Sequence, residues 1–328
     1  MALLITDAQV ADILTMEDAI DAVEEAFQLL ASGGASMPPR ISTSPPAGPG
    51  HSYLRWLMPG TLHEQGIMGA KILVASSPGT TPPRPARFII LLFDSTSGEM
   101  LAMVQGEDIS RIRTGAVTAI GIKHLARKEC SKLALFGSSK YAAMQGVGVC
   151  AVSAVQEISV FSPNPEHRQN FAKALDSLVP AGVKAAGSSE EALADADIVV
   201  TVTNAREPIF SGDLVQPGMH LSVVGSSIPD MREVDEATLH KSKVVVEFMD
   251  HALKEAGDLV IPISQGTYSR ENIYAEMADV VAGKVRGRVS DDEITLFKFN
   301  GIAVEDIACA GRVYQLARER GVGAEFNF

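Results

Sequence analysis

The alternation of hydrophobic and polar positions changes its period near Ser110. Upstream, Thr15-Met-Glu-Asp18 carries the signature of a capped helix start, with Asp18 where Glu or Gln is usual. Ile20, Val23, Phe27 and Leu30 follow at helical spacing, and Gly33 and Gly34 close the helix. A proline-rich stretch from Met37 to Gly50 predicts a loop. Four β-type segments come next: "SYLRWLMP", "GIMGAKILVAS", "RFIILLFDSTSG" and "EMLAMVQG". The "DSTSG" turn joins the last two as a hairpin. The first 106 residues thus predict a helix followed by a mostly antiparallel sheet.

Downstream, "SRIRTGAVTAIGIKHLA" predicts a helix with Ser110 as its cap. Strand "KLALFG" then leads into a helix over 139–154, and strand "EISVFS" into a helix over 165–178. The segments "DIVVTVT", "MHLSVVGS" and "KVVVEF" continue the series. Apolar strands alternating with helices imply a parallel, doubly wound sheet covered on both faces. The expected class is α/β: a Rossmann-type sheet over residues 119–300 beside an α+β domain. Residues 1–118 and 301–328 make up that second domain, with the helix Ala303–Arg320 packing back on its N-terminal part.

Composition narrows the function classes. With 328 residues, 46% of them hydrophobic, the chain can bury a large core and is not a disordered segment. The run "FIILLF" suits one buried strand and is far too short to span a bilayer. The first residues lack a basic region, so no secretory signal is expected and a cytoplasmic location is. A net charge of −12 disfavours nucleic acid and anionic membranes as partners, while a few focused arginines can still bind a small anion. Cys130, Cys150 and Cys309 are far apart in apolar segments and read as reduced, buried thiols. No histidine stands at metal-ligand spacing from another histidine or a cysteine, so no metal is expected.

The turn "LFGSSKYAAMQ", Leu135 to Gln145, follows the G-x-G-x-x-A dinucleotide pattern except at Ser139, which replaces the second glycine. Gly137 permits the tight turn, Ala142 permits close helix packing, and the Ser139 hydroxyl can itself bond a phosphate. The helix N-terminus offers N–H groups, and Lys140 adds charge. The bland alternative is a helix merely capped by Ser138 or Ser139. At the end of the second strand Ser162 stands where a carboxylate usually meets the ribose, and Asn164, His167 and Arg168 can receive a 2′-phosphate. This tilts the expected cofactor, NAD(P)H, toward NADP(H), unless Glu166 and Arg168 simply begin a solvated helix.

Four features of the first half also point to chemistry. Arg40 lies in the proline-rich loop, Lys71 interrupts an apolar strand, and Arg111 and Arg113 open the helix "RIRTGA". A buried lysine is costly unless paired or used, and a desolvated one titrates low enough for proton transfer. An arginine beside helix N–H groups can bind both oxygens of a carboxylate. Against this, Arg40 can be a solvated loop residue, Lys71 can snorkel, and Arg113 can pair with Glu107 or Asp108. Together with a nucleotide domain, the four suggest an α-amino or α-imino acid site.

These residues are where the chain resembles the ornithine cyclodeaminase/μ-crystallin family, nearly end to end. Matching stretches are "PPR" with Arg40, "LMPG…GAK" with Lys71, "LFDSTSG", "IRTGAVTA" with Arg113, and the Gly137 turn. They continue with "VTVT" at 200–203, "PGMHLSVVGS" at 217–226, "REVD" at 232–235 and "ITLFKFNGIAVEDIACAGRVYQLA" at 294–317. The resemblance implies a homodimer whose N-terminal region and final helix form a substrate-binding and dimerisation domain around a Rossmann domain. It places Arg40, Lys71 and Arg113 on the substrate carboxylate, Lys71 and Arg113 being the catalytic candidates. Ser138, Tyr141, Thr201, Thr203, Gly225 and Ser226 join the cofactor set. Cyclodeaminases of this family carry a "GGD-x-P-G-K" loop whose Asp acts on the substrate amines; here Ser227 aligns with that Asp and Met231 with the lysine. Phe299 stands where they carry a serine at the cofactor, and Arg84 or Arg87 where they carry a threonine on the substrate. The pattern is thus closer to the ketimine reductases and alanine dehydrogenases. The expectation is hydride transfer from NAD(P)H to the C=N carbon of a small α-imino acid, or the reverse oxidation, with a dicarboxylic imine such as iminosuccinate if Arg84 or Arg87 enters. Two competing readings stay open: a redox-neutral cyclodeaminase of ornithine or lysine, and a non-catalytic NADPH or small-ligand binder.

Overall fold

A computed structural model describes residues 1–82 and 84–327, and the chain divides into two compact units. Unit 1 is Met1–Arg113 together with the segment from Ile302 onward; unit 2 is Thr114–Gly301.

Unit 1 opens with β1 (Ala2–Ile5), α1 (Asp7–Ile13) and α2 (Met16–Ser32). Thr15 Oγ1 accepts the Asp18 N–H at 3.1 Å, and Gly33 ends α2 at φ +83°, a conformation that favours glycine. Short strand β2 (Ala35–Ser36) precedes the proline-rich stretch, and a second one, β3 (Ile41–Ser42), forms inside it where a loop is expected. Long strands β4 (Ser52–Leu62), β5 (Ile67–Ser76), β6 (Arg87–Asp94) and β7 (Met100–Gln105) form an antiparallel meander. The 94–98 turn is held by Asp94 Oδ1, which accepts the N–H groups of Thr96 and Ser97 at 2.8 and 2.7 Å. β1 joins β7 in parallel, and Ala324–Phe326 adds the outermost strand.

The sheet has two unlike faces because side chains alternate along each strand. Met58, Lys71, Ile90 and Val104 stand side by side across four strands, and all are buried. Leu57, Ile72 and Ile89 share the opposite face and are half-exposed. The final helix, Ala303–Arg320, covers the buried face. It approaches so closely at Gly60 that a side chain there would come within 3.1 Å of Ile307.

The division between the units falls inside α3 (Glu107–Leu125). This helix begins earlier than expected. Ser110 donates its N–H to the Gly106 carbonyl at 3.0 Å and so lies within the first turn rather than capping it. Arg113 accordingly sits in the second turn, away from the free N–H groups beside which the sequence places it.

Unit 2 is a fully parallel sheet. Its strands are β8 (Lys132–Phe136), β9 (Glu157–Phe161), β10 (Gly182–Ala185), β11 (Ile198–Thr201), β12 (His220–Val223), β13 (Lys243–Val246), β14 (Ile273–Glu276) and β15 (Thr295–Lys298). The spatial order is β10-β9-β8-β11-β12-β15-β13-β14. Winding therefore reverses between β8 and β11, the switch point at which such sheets bind ligands beyond the strand C-termini. Leu133, Val199, Leu221 and Val244 are fully buried, as both faces are covered. α4 (Lys140–Val152) follows β8, and α5 (Pro165–Asp176) follows β9. α4 packs on α3 through glycines: a Cβ on Gly148 would lie 2.3 Å from the Gly115 carbonyl oxygen. Among the described residues no helix is long and apolar enough to cross a membrane.

Candidate active site

In unit 1, the chemistry gathers beneath the final helix. Lys71 is 2% exposed, and its ammonium forms an ion pair with Asp306. Asp306 also receives Arg113 Nε at 3.1 Å, while Arg113 Nη1 reaches Glu305 Oε2 at 3.0 Å. Glu305 Oε2 in turn accepts the Ile302 N–H at 3.3 Å, the N-cap position of that helix. Two cations and two carboxylates thus meet in a buried cluster, against apolar Met58 and Ile90 on the same sheet face. Burial pushes the Lys71 ammonium down to about 8, Arg113 adding to the push and Asp306 opposing it. Proton gain and loss at Nζ are therefore both accessible near neutral pH. Burial and the same two acids push the Cys309 thiol up, so it stays protonated.

Asp108 pairs with Arg111, while Arg113 reaches Glu305 and Asp306. Its actual partners, Glu305 and Asp306, escaped the sequence reading, although "IAVEDIACAG" signals them: two adjacent acids inside an apolar helical run. Arg40 is also buried, its guanidinium stacked 4.1 Å over the Trp56 ring. β3 register sets Ile41 opposite Leu57, so Arg40 flanks Met58 on the Lys71 face. Arg84 and Arg87 are exposed. Arg84 donates to the Gly50 carbonyl at 2.9 Å and to Ser52 Oγ at 3.3 Å, which ties two loops together.

Unit 2 carries the nucleotide features at the switch point. Gly137 adopts φ +124°, and a Cβ there would lie 2.7 Å from the Val202 carbonyl oxygen. Only glycine fits. Ser139 is the N-cap of α4, its Oγ accepting the Ala142 N–H at 3.3 Å, while Ser138 is half-buried and Lys140 exposed. Tyr141 is half-buried in the first turn of α4. At the end of β9, Ser162 Oγ is buried and has no hydrogen-bond partner among the described residues. A cradle that only a glycine leaves open and an orphaned hydroxyl beside it fit a dinucleotide.

The neighbouring residues hold the frame. Asn164 Oδ1 accepts the His167 N–H at 3.0 Å and caps α5. Arg168 is buried, donates to the Ser162 carbonyl at 2.7 Å and stacks on Phe161, so it is not the open phosphate receiver that the sequence suggests. Thr201 and Ser226 are likewise buried, and their hydroxyls donate to Glu233 and to the Met231 carbonyl. Both hydroxyls thus brace the loops after β11 and β12. Glu233 also accepts the N–H groups of Thr203 at 2.6 Å and Gly225 at 2.7 Å. A Cβ on Gly225 would overlap the Thr203 carbonyl, so the loops after β11 and β12 touch directly. Burial and nearby Asp258 push the Glu233 carboxyl up, against Lys298, which lies 3.4 Å from Asp258. Ser227 is half-buried in the same loop, and the next carboxylate along, Asp230, is exposed and paired with Arg206. Phe299 is buried in a stack with Phe297.

The pattern of the ornithine cyclodeaminase/mu-crystallin family matches residues 2–321. The chain belongs to that family. A Delta(1)-pyrroline-2-carboxylate reductase of Bacillus cereus is 38% identical over 241 residues, 73% of this chain and 74% of its own. An alanine dehydrogenase of Archaeoglobus fulgidus is 31% identical over 328 residues, 99% of this chain and 98% of its own. The solved structure of Thermococcus litoralis Delta(1)-pyrroline-2-carboxylate reductase, in complex with NADH and L-proline, superposes with a TM-score of 0.93 at 33% identity. It covers 99% of this chain and 100% of that one.

Proposed function

We propose that this family member is an NAD(P)H-dependent reductase of α-imino acids, run in reverse as an L-amino-acid dehydrogenase. The observation that carries the reading is Lys71, buried against Asp306 beside Arg113 and poised to titrate at about 8. Relatives at 38% and 31% identity that reduce an imine or oxidise an amino acid support it. When bound, the nicotinamide supplies the hydride taken up at the C=N carbon. Arg40 and Arg113 bind the substrate carboxylate, and Asp306 orients Lys71. Lys71 Nζ gives the imine nitrogen its proton, leaving an amino acid and a neutral lysine; in reverse, neutral Lys71 takes that proton back. Burial of the cluster keeps water from competing for these groups.

The cofactor set in this reading is Gly137, Ser138, Ser139, Lys140 and Tyr141 at the turn, Ser162 at the ribose, and Thr203 and Gly225 on the neighbouring loops. NADP(H) is favoured over NAD(H) because no carboxylate follows β9 before Glu166. The protein acts as a homodimer joined through the half-exposed outer face of the unit 1 sheet, where Met68, Ala70, Leu91 and Phe93 line up. Its free cysteines suit the cytoplasm. The cyclodeaminase alternative is disfavoured by Ser227, which cannot act as a carboxylate base, and by Asp230, which is engaged by Arg206.

One assay matrix tests the proposal: pyruvate with ammonia, and Delta(1)-pyrroline-2-carboxylate, each with NADH and NADPH, alongside ornithine. Cofactor oxidation with the imines, faster with NADPH, is the expected result. Ammonia release from ornithine at a comparable rate with no net cofactor change would overturn the reductase, as would oxidation of neither cofactor.

A further inference from the structure

Glu233 is a carboxylate to which the chemistry above gives no task. It is fully buried, as are Lys298 and, at 1% exposure, Asp258. Burying charges is costly unless each finds partners, so the partners show what the arrangement does. Glu233 commits both oxygens to donors from two loops. Oε1 accepts the Thr203 N–H at 2.6 Å, while Oε2 accepts the Gly225 N–H at 2.7 Å and the Thr201 hydroxyl at 2.8 Å. Its backbone carbonyl also accepts the Ile209 N–H at 2.9 Å. One residue thus holds the loop after β11 near both of its ends and ties it to the loop after β12.

The clamp is itself fixed from behind. Asp258, in the first turn of helix Gly257–Gln265, accepts the N–H groups of Glu233 at 2.6 Å and Val234 at 3.1 Å through Oδ1. Lys298, the last residue of β15, lies 3.4 Å from Asp258 Oδ2 and donates to the Val223 carbonyl at 3.3 Å. Val223 ends β12, so the support runs from the sheet itself to the clamp.

The place of the two loops says what the clamp serves. In a doubly wound sheet a dinucleotide lies across the switch point, one nucleotide on each side. The Gly137 turn and Ser162 follow β8 and β9 on one side; Thr203 and Gly225 follow β11 and β12 on the other. The first pair meets the pyrophosphate and the adenosine ribose, which leaves the nicotinamide nucleotide to the second. Thr203 and Gly225 are half-exposed while the carboxylate behind them is covered, so Glu233 acts on a ligand only through these loops. A side chain on Gly225 would meet both the Thr203 carbonyl and Glu233, so the loops have no slack.

We infer that Glu233 is a positioning residue for the nicotinamide half of the cofactor, setting the spacing of the loops after β11 and β12. This rests on the imine-reductase reading and its cofactor assignment, and adds a determinant that touches neither substrate nor cofactor.

The test compares each cofactor with its nicotinamide-free counterpart by calorimetric titration: NADPH with 2′-phospho-ADP-ribose, and NADH with ADP-ribose. Wild type, Glu233→Gln and Thr201→Val are titrated, and the readout is the ratio of the two dissociation constants within each variant. Glutamine keeps the shape but has one acceptor oxygen, so its NH2 group must face a donor from one of the loops. Glu233→Gln is expected to weaken the nicotinamide cofactor about 10-fold and its counterpart less than about twofold, as a buried donor left unpaired requires. Thr201→Val removes one of the three donors, leaves both backbone bonds, and is expected to move the ratio about threefold in the same direction. Because the ratio is internal to each variant, partial misfolding leaves it unchanged. Should Glu233→Gln fail to fold, Thr201→Val decides alone. Ratios that stay at the wild-type value, whether both ligands weaken together or neither does, overturn the inference and leave the reductase standing. Wild type that binds neither NADPH nor NADH overturns the reductase reading itself.

Discussion

At the scale of single residues, the role proposed for Lys71 sets an expected pH dependence. The folded-state value of that lysine, about 8, lies below the ordinary 10.5 because burial outweighs the attraction of Asp306. On the proposed mechanism protonated Lys71 is the acid in imine reduction, so kcat/KM in that direction is expected to fall as pH rises through about 8. Amino-acid oxidation needs the neutral amine and rises over the same interval. Stability follows the same sign: between about 8 and 10.5 the unfolded chain binds the proton that the folded chain has shed, so stability increases with pH there. Lys71→Met is expected to remove the inflection from both rate profiles and to lower kcat by about 10²- to 10⁴-fold. A persisting inflection near 8 in steady-state profiles of that variant would assign the proton to another group. Lys71, Arg40 and Arg113 were legible from sequence because a charge within an apolar run or beside a predicted loop stands out. Their counter-ions were not, since 193 residues separate Arg113 from Asp306 and periodicity carries no information over that distance.

Among elements, the strands and most helices follow from period alone. Helix Ala303–Arg320 falls where its pattern predicts, and the meander β4–β7 matches the four β-type segments. The start of α3 differs from its pattern: Glu107 and Asp108, the acidic pair that suits a first turn, precede Ser110, whose residue type is the commoner cap signal. Close contacts between elements were also invisible, since a glycine in a helix looks the same whether or not something rests on it. Gly148 is the sharpest case, with the Gly115 carbonyl oxygen 2.3 Å from where its Cβ would be. Gly148→Val must separate α3 from α4, at a cost of about 3 kcal/mol. For a unit of this size, a thermal melt should show a fall in Tm of roughly 6–12 °C. A shift under about 1 °C would mean the two helices part freely.

For the whole molecule, assembly is the open property that surface patterning addresses. The outer face of the unit 1 sheet alternates with a buried face yet is itself apolar, which is why the proposed dimer contact is placed there. Sedimentation equilibrium at micromolar concentration should give a dimer for wild type and a monomer for Phe93→Asp. A wild-type monomer would place the contact elsewhere or remove it. Unit 1 is also discontinuous, and this has a consequence in time. Translation delivers Lys71 and Arg113 early, then the whole of unit 2, and only afterwards Glu305 and Asp306. A ribosome-bound chain lacking the last helix therefore carries two desolvation-prone cations and an uncovered sheet. Until that helix is made, the ion pairs of Lys71 with Asp306 and of Arg113 with Glu305 and Asp306 cannot close.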